Sequence, residues 1–214
     1  MPHLATWQWI LGVFSAFMIG VAKTGAPGAG SLISPVMVIT VGDARLAAAW
    51  MQPILSTGDF LALYYWWRHA DAKRLFSLIP WVLAGMAGGF AALGLSELML
   101  RRMVAGVVFA MLLVQLRRKF SAGAPASGGA AFYGISAGFA STIANAAAPV
   151  MNLYLLSRKL PKEQFVATGA WFFCVVNLMK VPIYMWYGLF SRASLVFDLL
   201  LAPAVVRGAV PAAG

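Results

Sequence analysis

The chain has 214 residues, of which 62% are hydrophobic and only 10% charged, and its mean hydropathy is +0.82. Soluble domains carry about 25% charged residues, so this is the composition of an integral membrane protein. The formal net charge of +10 does not point to nucleic acid, because the basic residues fall in short clusters between apolar runs, the pattern of cytoplasmic loops.

The first apolar run covers 4–22. No basic segment precedes it and no clean cleavage site ends it, so it reads as a retained span rather than a signal peptide. It leads into Gly20-Val21-Ala22-Lys23-Thr24-Gly25-Ala26-Pro27-Gly28-Ala29-Gly30. Gly25 and Gly30 have the spacing of a nucleotide P-loop, but Ser31 stands where the lysine is required and no strand precedes. The dinucleotide fingerprint fails as well, since Gly28-x-Gly30 continues into Ser-Leu-Ile. What remains is a broken membrane helix. The backbone amides that Gly25, Pro27, Gly28 and Gly30 free must be buried in protein or line a cavity. A short helix starting at the break would aim its positive end into that cavity. With Lys23 and Thr24 beside it, the break has the makings of an anion site. A lysine snorkelling from the end of the first span is the competing reading.

A short apolar piece over 31–41 cannot cross a bilayer unaided. The next runs, 44–67, 75–95 and 98–116, are long enough. The first of them carries Gln52, Tyr64 and Asp59, the most deeply placed of the six acids in the chain. Asp59 is a candidate for an ion pair with Lys23 or Lys180, or for a proton carrier. Gly85-Met86-Ala87-Gly88-Gly89 reads as a site of close helix packing.

Residues 120–129, FSAGAPASGG, form a small, polar linker, dividing the chain into a first membrane repeat, 1–119, and a second, 130–214. The second half repeats the order of features: a run over 130–147, a break at Asn145-Ala146-Ala147-Ala148, and a short piece over 149–157 with Asn152. A long run over 163–188 then carries Asn177, Lys180 and Tyr184, and a last run covers 194–212. Asn177 corresponds to Asp59. Lys180, beside Pro182, lies deep enough that it costs about 2.5–3.5 kcal/mol unless paired or hydrated. Interrupted helices at matching places in two halves point to a transporter binding site.

These features predict an all-α polytopic membrane protein of about seven full spans. It is built from two related, inverted repeats, each with an interrupted or re-entrant helix pair, and the last helix of the second repeat is missing. Loops 68–74, 117–129 and 157–163 face the cytoplasm in this topology, while Arg101 and Arg102 fall on the outer side. Cys174 is the one cysteine, which precludes an intrachain disulfide, and His3 and His69 are far apart. No metal or cofactor is expected.

The runs Lys23-Thr24-Gly25-x-Pro27-Gly28 with Pro35, and Asn145 with Pro149, resemble the TauE/SafE family of sulfite-exporter-like permeases. The most specific stretch is Leu160-Pro161-Lys162-Glu163-x-Phe165-Val166-x-Thr168, followed by Phe172-Phe173, Asn177, Lys180 and Tyr184. The resemblance implies a multi-pass permease of the bacterial inner membrane built from a duplicated unit, with sulfite, sulfonates or other organosulfur anions as substrates. It also implies a further helix after Leu201-Ala202-Pro203. The expected function is a secondary transporter moving a small anion by alternating access. Lys23, Thr24, Gly25, Gly28, Gly30, Asn145, Asn177 and Lys180 would form its site, and Asp59 would serve in proton coupling or as an ion-pair partner. The partners expected are the anion and the lipid bilayer, not nucleic acid, with oligomerisation left open. The alternatives are an anion channel, or a fragment that is nonfunctional or depends on a partner. A membrane enzyme is disfavoured, for the sequence offers neither a His nor a Cys cluster.

Overall fold

The computed structural model of the protein describes residues 4–24, 33–120 and 129–212, and every regular element among them is helical. In chain order the α-helices are α1 (Thr6–Thr24), α2 (Ile33–Val41), α3 (Ala44–Trp66), α4 (Ala72–Leu93), α5 (Glu97–Phe120), α6 (Ala130–Ala144), α7 (Ala148–Ser157), α8 (Lys162–Trp186) and α9 (Arg192–Ala212), with one 3-10 turn, Trp67–His69, after α3. Most of the expected linker, 121–128, and the core of the first break, 25–32, lie outside the described residues.

Local chemistry sets the boundaries. Asp43 caps α3 by accepting from the Leu46 N–H at 2.8 Å, and Asp71 caps α4 by accepting from the Arg74 N–H at 3.1 Å. Gly42, at φ +85, makes the turn through which α2 and α3 bend by 118°. Asn145, at φ 50, ends α6 in the left-handed region, and its N–H closes the last turn onto Ser141 O at 2.9 Å. Pro149 falls in the first turn of α7, where a missing N–H costs nothing.

By length and composition α4, α8 and α9 can each cross a membrane, and α2 with α3 forms a fourth crossing if the bent pair is one span. The run expected over 130–147 is a shorter helix: α6 has 15 residues and stops at Ala144, where Asn145 turns the chain back.

Hydrogen bonds identify two ends. At the first, Gln8 Nε2 donates to Thr40 O at 2.6 Å, so the start of α1 meets the finish of α2. There, too, Glu97 accepts from the Ala44 N–H and from Arg101 Nε, at 2.9 and 2.7 Å, and Tyr187 OH donates to Phe90 O at 2.9 Å. At the second end Thr168 Oγ1 accepts from the Asp71 N–H at 2.9 Å, and Trp171 Nε1 donates to Trp67 O at 3.1 Å. The start of α6 and the finish of α7 meet at that end, where the Tyr133 and Tyr154 rings stand 5.6 Å apart. The hairpin α1–α2 therefore opens toward the first end and the hairpin α6–α7 toward the second. The finish of α1 and the finish of α6 therefore both lie between the two ends.

Between them α3 and α8 run antiparallel. Two further pairs, α1 with α9 and α4 with α6, cross so closely that only glycine fits. A Cβ on Gly20 would lie 2.1 Å from Val205 O, and one on Gly208 would lie 2.1 Å from Phe17 O. In the other pair a Cβ on Gly85 would lie 2.1 Å from Ile135 O, and one on Gly138 would lie 2.2 Å from Val82 O. In both crossings each glycine faces the carbonyl three residues before its partner glycine.

Candidate functional site

The end of α1, the start of α2 and the break between α6 and α7 face one cavity. Ala22, Lys23 and Ile33 line it from the first break, and Ser141, Asn145, Ala147 and Ala148 from the second. Met51 and Leu55 of α3, Asn152 of α7, and the α8 face running through Val166, Gly169, Ala170, Phe173 and Asn177 complete the wall.

Lys23 forms an ion pair with Asp59 and stands 4.4 Å from the centroid of the Phe173 ring. Its side chain is 13% exposed and that of Asp59 is fully buried, so the lysine does not snorkel to an interface. Gly58 makes room for its stem: a Cβ there would come within 3.1 Å of Lys23 Cγ. The second carboxylate oxygen of Asp59 accepts from Asn177 Nδ2, and Asn177 O accepts from Gln52 Nε2 at 2.6 Å. Of the two lysines that could have paired with Asp59, Lys23 does so.

Lys180 is fully buried and does not line the cavity. It donates to Asn145 Oδ1 and, at 3.3 Å, to Ser141 O. Asn145 Nδ2 in turn donates to Ala48 O at 2.7 Å. The carboxamide of Asn145 thus bridges Lys180 and Ala48 O at the second break while also lining the cavity. The cavity receives the start of α7 there, and Ala147 offers no side-chain cap to its first N–H groups. Uncapped N–H groups at a helix start attract an anion.

The remaining candidates divide. Thr24 is buried, with its hydroxyl 3.0 Å from both Gly20 O and Ala209 O, so it ties α1 to α9 and does not face the cavity. Gly25, Gly28 and Gly30 lie outside the described residues. Tyr64 is 78% exposed on the outer surface of α3. Tyr184 is buried with its OH on Thr142 O at 2.8 Å, away from the cavity. The sequence does not single out Ser141, Val166 and Phe173 as site residues. Val166, Ala170, Phe173 and Asn177 recur at helical spacing, so extending the face of Asn177 backward along α8 would have found them.

As formal charges, Lys23 and Asp59 cancel, and Lys180 lies one residue behind the cavity wall, where it donates to Asn145. Together with the α7 start, this suits a bound anion. Ser141, Asn145, Asn152 and Asn177 add polar groups to the lining, and Met51, Leu55, Val166 and Phe173 give it an apolar side.

The family model of the sulfite exporter TauE/SafE matches residues 11–213 of the chain. No curated protein and no solved structure matches it.

Proposed function

The chain belongs to the sulfite exporter TauE/SafE family of membrane transporters, and from that premise we propose that it is a secondary transporter of a small anion. The substrate in this reading is sulfite, a sulfonate or another organosulfur compound, carried across the bacterial inner membrane by alternating access. The observation that carries the reading is the shared cavity, to which one break contributes Lys23 and the other the uncapped start of α7. The apolar wall favours a sulfonate with an organic body among these anions.

Inverted repeats are supported by four relationships. Asp59 and Asn177 are each the sixteenth residue of their helix, counted from Ala44 and from Lys162, and they touch each other. The helices that carry them are antiparallel, as a two-fold axis in the membrane plane requires. The glycine crossing of α1 with α9 has the same form as that of α6 with α4. The hairpins open toward opposite ends, which fits the same axis.

The charge of the two ends supports the orientation. Arg68, Lys73, Arg74, Arg158, Lys159 and Lys162 belong to the second end, which in this reading faces the cytoplasm. Arg45, Arg101, Arg102 and Arg192 belong to the first; two acids offset part of the charge at each end, Asp71 and Glu163 at the second and Asp43 and Glu97 at the first, so the second end keeps the larger excess.

The test is uptake of labelled sulfite and ethanesulfonate by proteoliposomes, with Lys23→Ala as the control. Trans-stimulation by unlabelled substrate, lost in Lys23→Ala, is the expected result. Flux without trans-stimulation would indicate a channel, and no flux of either anion would overturn the reading.

A further inference from the structure

A second cavity lies on the other side of α3 and α8. Gln52 and Ser56 of α3, Val181 and Met185 of α8, and Phe190 and Leu195 near the start of α9 line it. The turn between α8 and α9 belongs to the first end, so this cavity reaches toward that end. The cavity between the breaks is lined by Phe165 and Val166, close to the start of α8 at the second end. The two cavities approach each other at one hydrogen bond. Asn177 lines the first, Gln52 lines the second, and Gln52 Nε2 donates to Asn177 O at 2.6 Å.

Gln52 has an unusual hydrogen-bond balance for its position. It is 1% exposed, and its Oε1 has no partner among the described residues. A buried carboxamide left half-satisfied costs free energy that a purely structural residue would have no reason to bear. Its one bond goes to a carbonyl inside α8, a group that a helix already satisfies. The neighbouring backbone is also weakened on both sides. Pro53 follows Gln52 in α3, and Pro182 lies five residues after Asn177 in α8. Each proline removes one helical hydrogen bond.

We propose that Gln52 is the partition of the transport path. Its side chain closes the route between the two cavities by holding Asn177, and its N–H groups receive the anion once that bond is released. This rests on the transporter reading above. Lys23 and the α7 start then hold the anion on one side of the partition, and Gln52 and Ser56 are the polar groups that meet it on the other.

The experiment reads the sidedness of thiol labelling. The chain's one cysteine is buried, so Cys174→Ala gives a silent background. Ser56→Cys and Asn152→Cys are introduced separately and exposed to a membrane-impermeant sulfonate thiol reagent in right-side-out and inside-out vesicles. Ser56→Cys should label from one face and Asn152→Cys from the other. Adding Gln52→Ala should raise labelling of Asn152→Cys from the Ser56 face at least tenfold. Gln52→Met, which keeps the volume but not the donor, should raise it to a similar extent, whereas a residue that only fills space would leave Gln52→Met close to the unsubstituted background. Labelling of Ser56→Cys from neither face, or sidedness unchanged in Gln52→Ala, would overturn the proposal. Binding of sulfite to the purified wild-type chain, measured in parallel, separates this failure from failure of the transporter reading.

Discussion

Asp59 and Asn177 meet at the centre of the molecule, the carboxylate accepting from the carboxamide across antiparallel helices. With one oxygen on Asn177 and the other on Lys23, Asp59 has no lone oxygen to offer and no solvent to share. The ion pair therefore stands or falls as a unit. Asp59→Asn leaves Lys23 without its counterion and should destabilise the protein by about 3 kcal/mol. Adding Lys23→Met to Asp59→Asn should recover most of that loss, as a thermal-unfolding cycle in detergent would measure. A double variant no more stable than Asp59→Asn alone would show that the pair is not coupled. Transport measured in the same variants addresses proton coupling: undiminished proton dependence in Asp59→Asn would remove Asp59 from that role.

The two glycine crossings fix which helices neighbour one another. Gly20→Ala, Gly85→Ala, Gly138→Ala and Gly208→Ala each force a methyl group onto a backbone carbonyl, and each should cost about 1–3 kcal/mol or more. Gly106 in α5 is the internal control, since a Cβ there meets nothing within 4 Å. Gly106→Ala should be neutral or stabilising by up to about 1 kcal/mol through helix propensity. Equal behaviour of all five variants would contradict the close approach.

These contacts also mark the limit of what the chain reveals unaided. The order of long and short helices, the break at Asn145 and the depth of Asp59 and Lys180 all follow from hydropathy, glycine and proline, which act locally. The azimuth of a side chain does not. Lys180 and Lys23 lie at comparable depth, yet Lys23 meets the cavity while Lys180 faces Asn145. That difference is set by helix rotation, which depends on crossings such as that of Gly20 with Gly208, far apart in sequence. Asn145 was legible as a break residue. Commitment of its amide to Ala48 O was not, because the partner is a backbone atom of another helix.

Asn145 carries two separable roles, a left-handed backbone and a bridging side chain. Asn145→Gly keeps the first and loses the second, whereas Asn145→Ala loses both. Asn145→Ala should therefore be less stable than Asn145→Gly by about 1–2 kcal/mol, the penalty of the left-handed region for a residue with a Cβ. Lys180→Met should restore part of the stability of Asn145→Gly, because it removes the buried ammonium stranded by that change. Unfolding midpoints of the three variants check both statements.

Asp198 on α9 is 4% exposed, and neither carboxylate oxygen has a partner among the described residues. An unpartnered buried carboxyl weakens a fold more than an apolar group of similar size. Asp198→Leu should stabilise the protein by about 1–3 kcal/mol in detergent. Asp59→Leu, at a carboxylate whose oxygens are both engaged, should do the reverse. Destabilisation by Asp198→Leu would mean that this carboxyl has a partner after all.

The lining of the cavity between the breaks makes a demand on its ligand. Lys23 and the α7 start form a polar patch, while Ile19, Met51, Leu55, Phe165, Val166 and Phe173 form an apolar wall beside it. An inorganic dianion can use the first and must leave the second empty. A sulfonate carries one negative charge and can rest its carbon chain on the wall. Across methane-, ethane- and propanesulfonate, each added methylene should tighten binding by up to about 0.8 kcal/mol, which is about fourfold. Calorimetry on the purified protein, with sulfate as the inorganic comparison, measures the slope. Phe173→Ala should flatten it, since that ring supplies apolar area and also faces Lys23. A series without slope, or sulfate binding as tightly as propanesulfonate, would assign the wall to packing and leave the polar patch as the whole of the site.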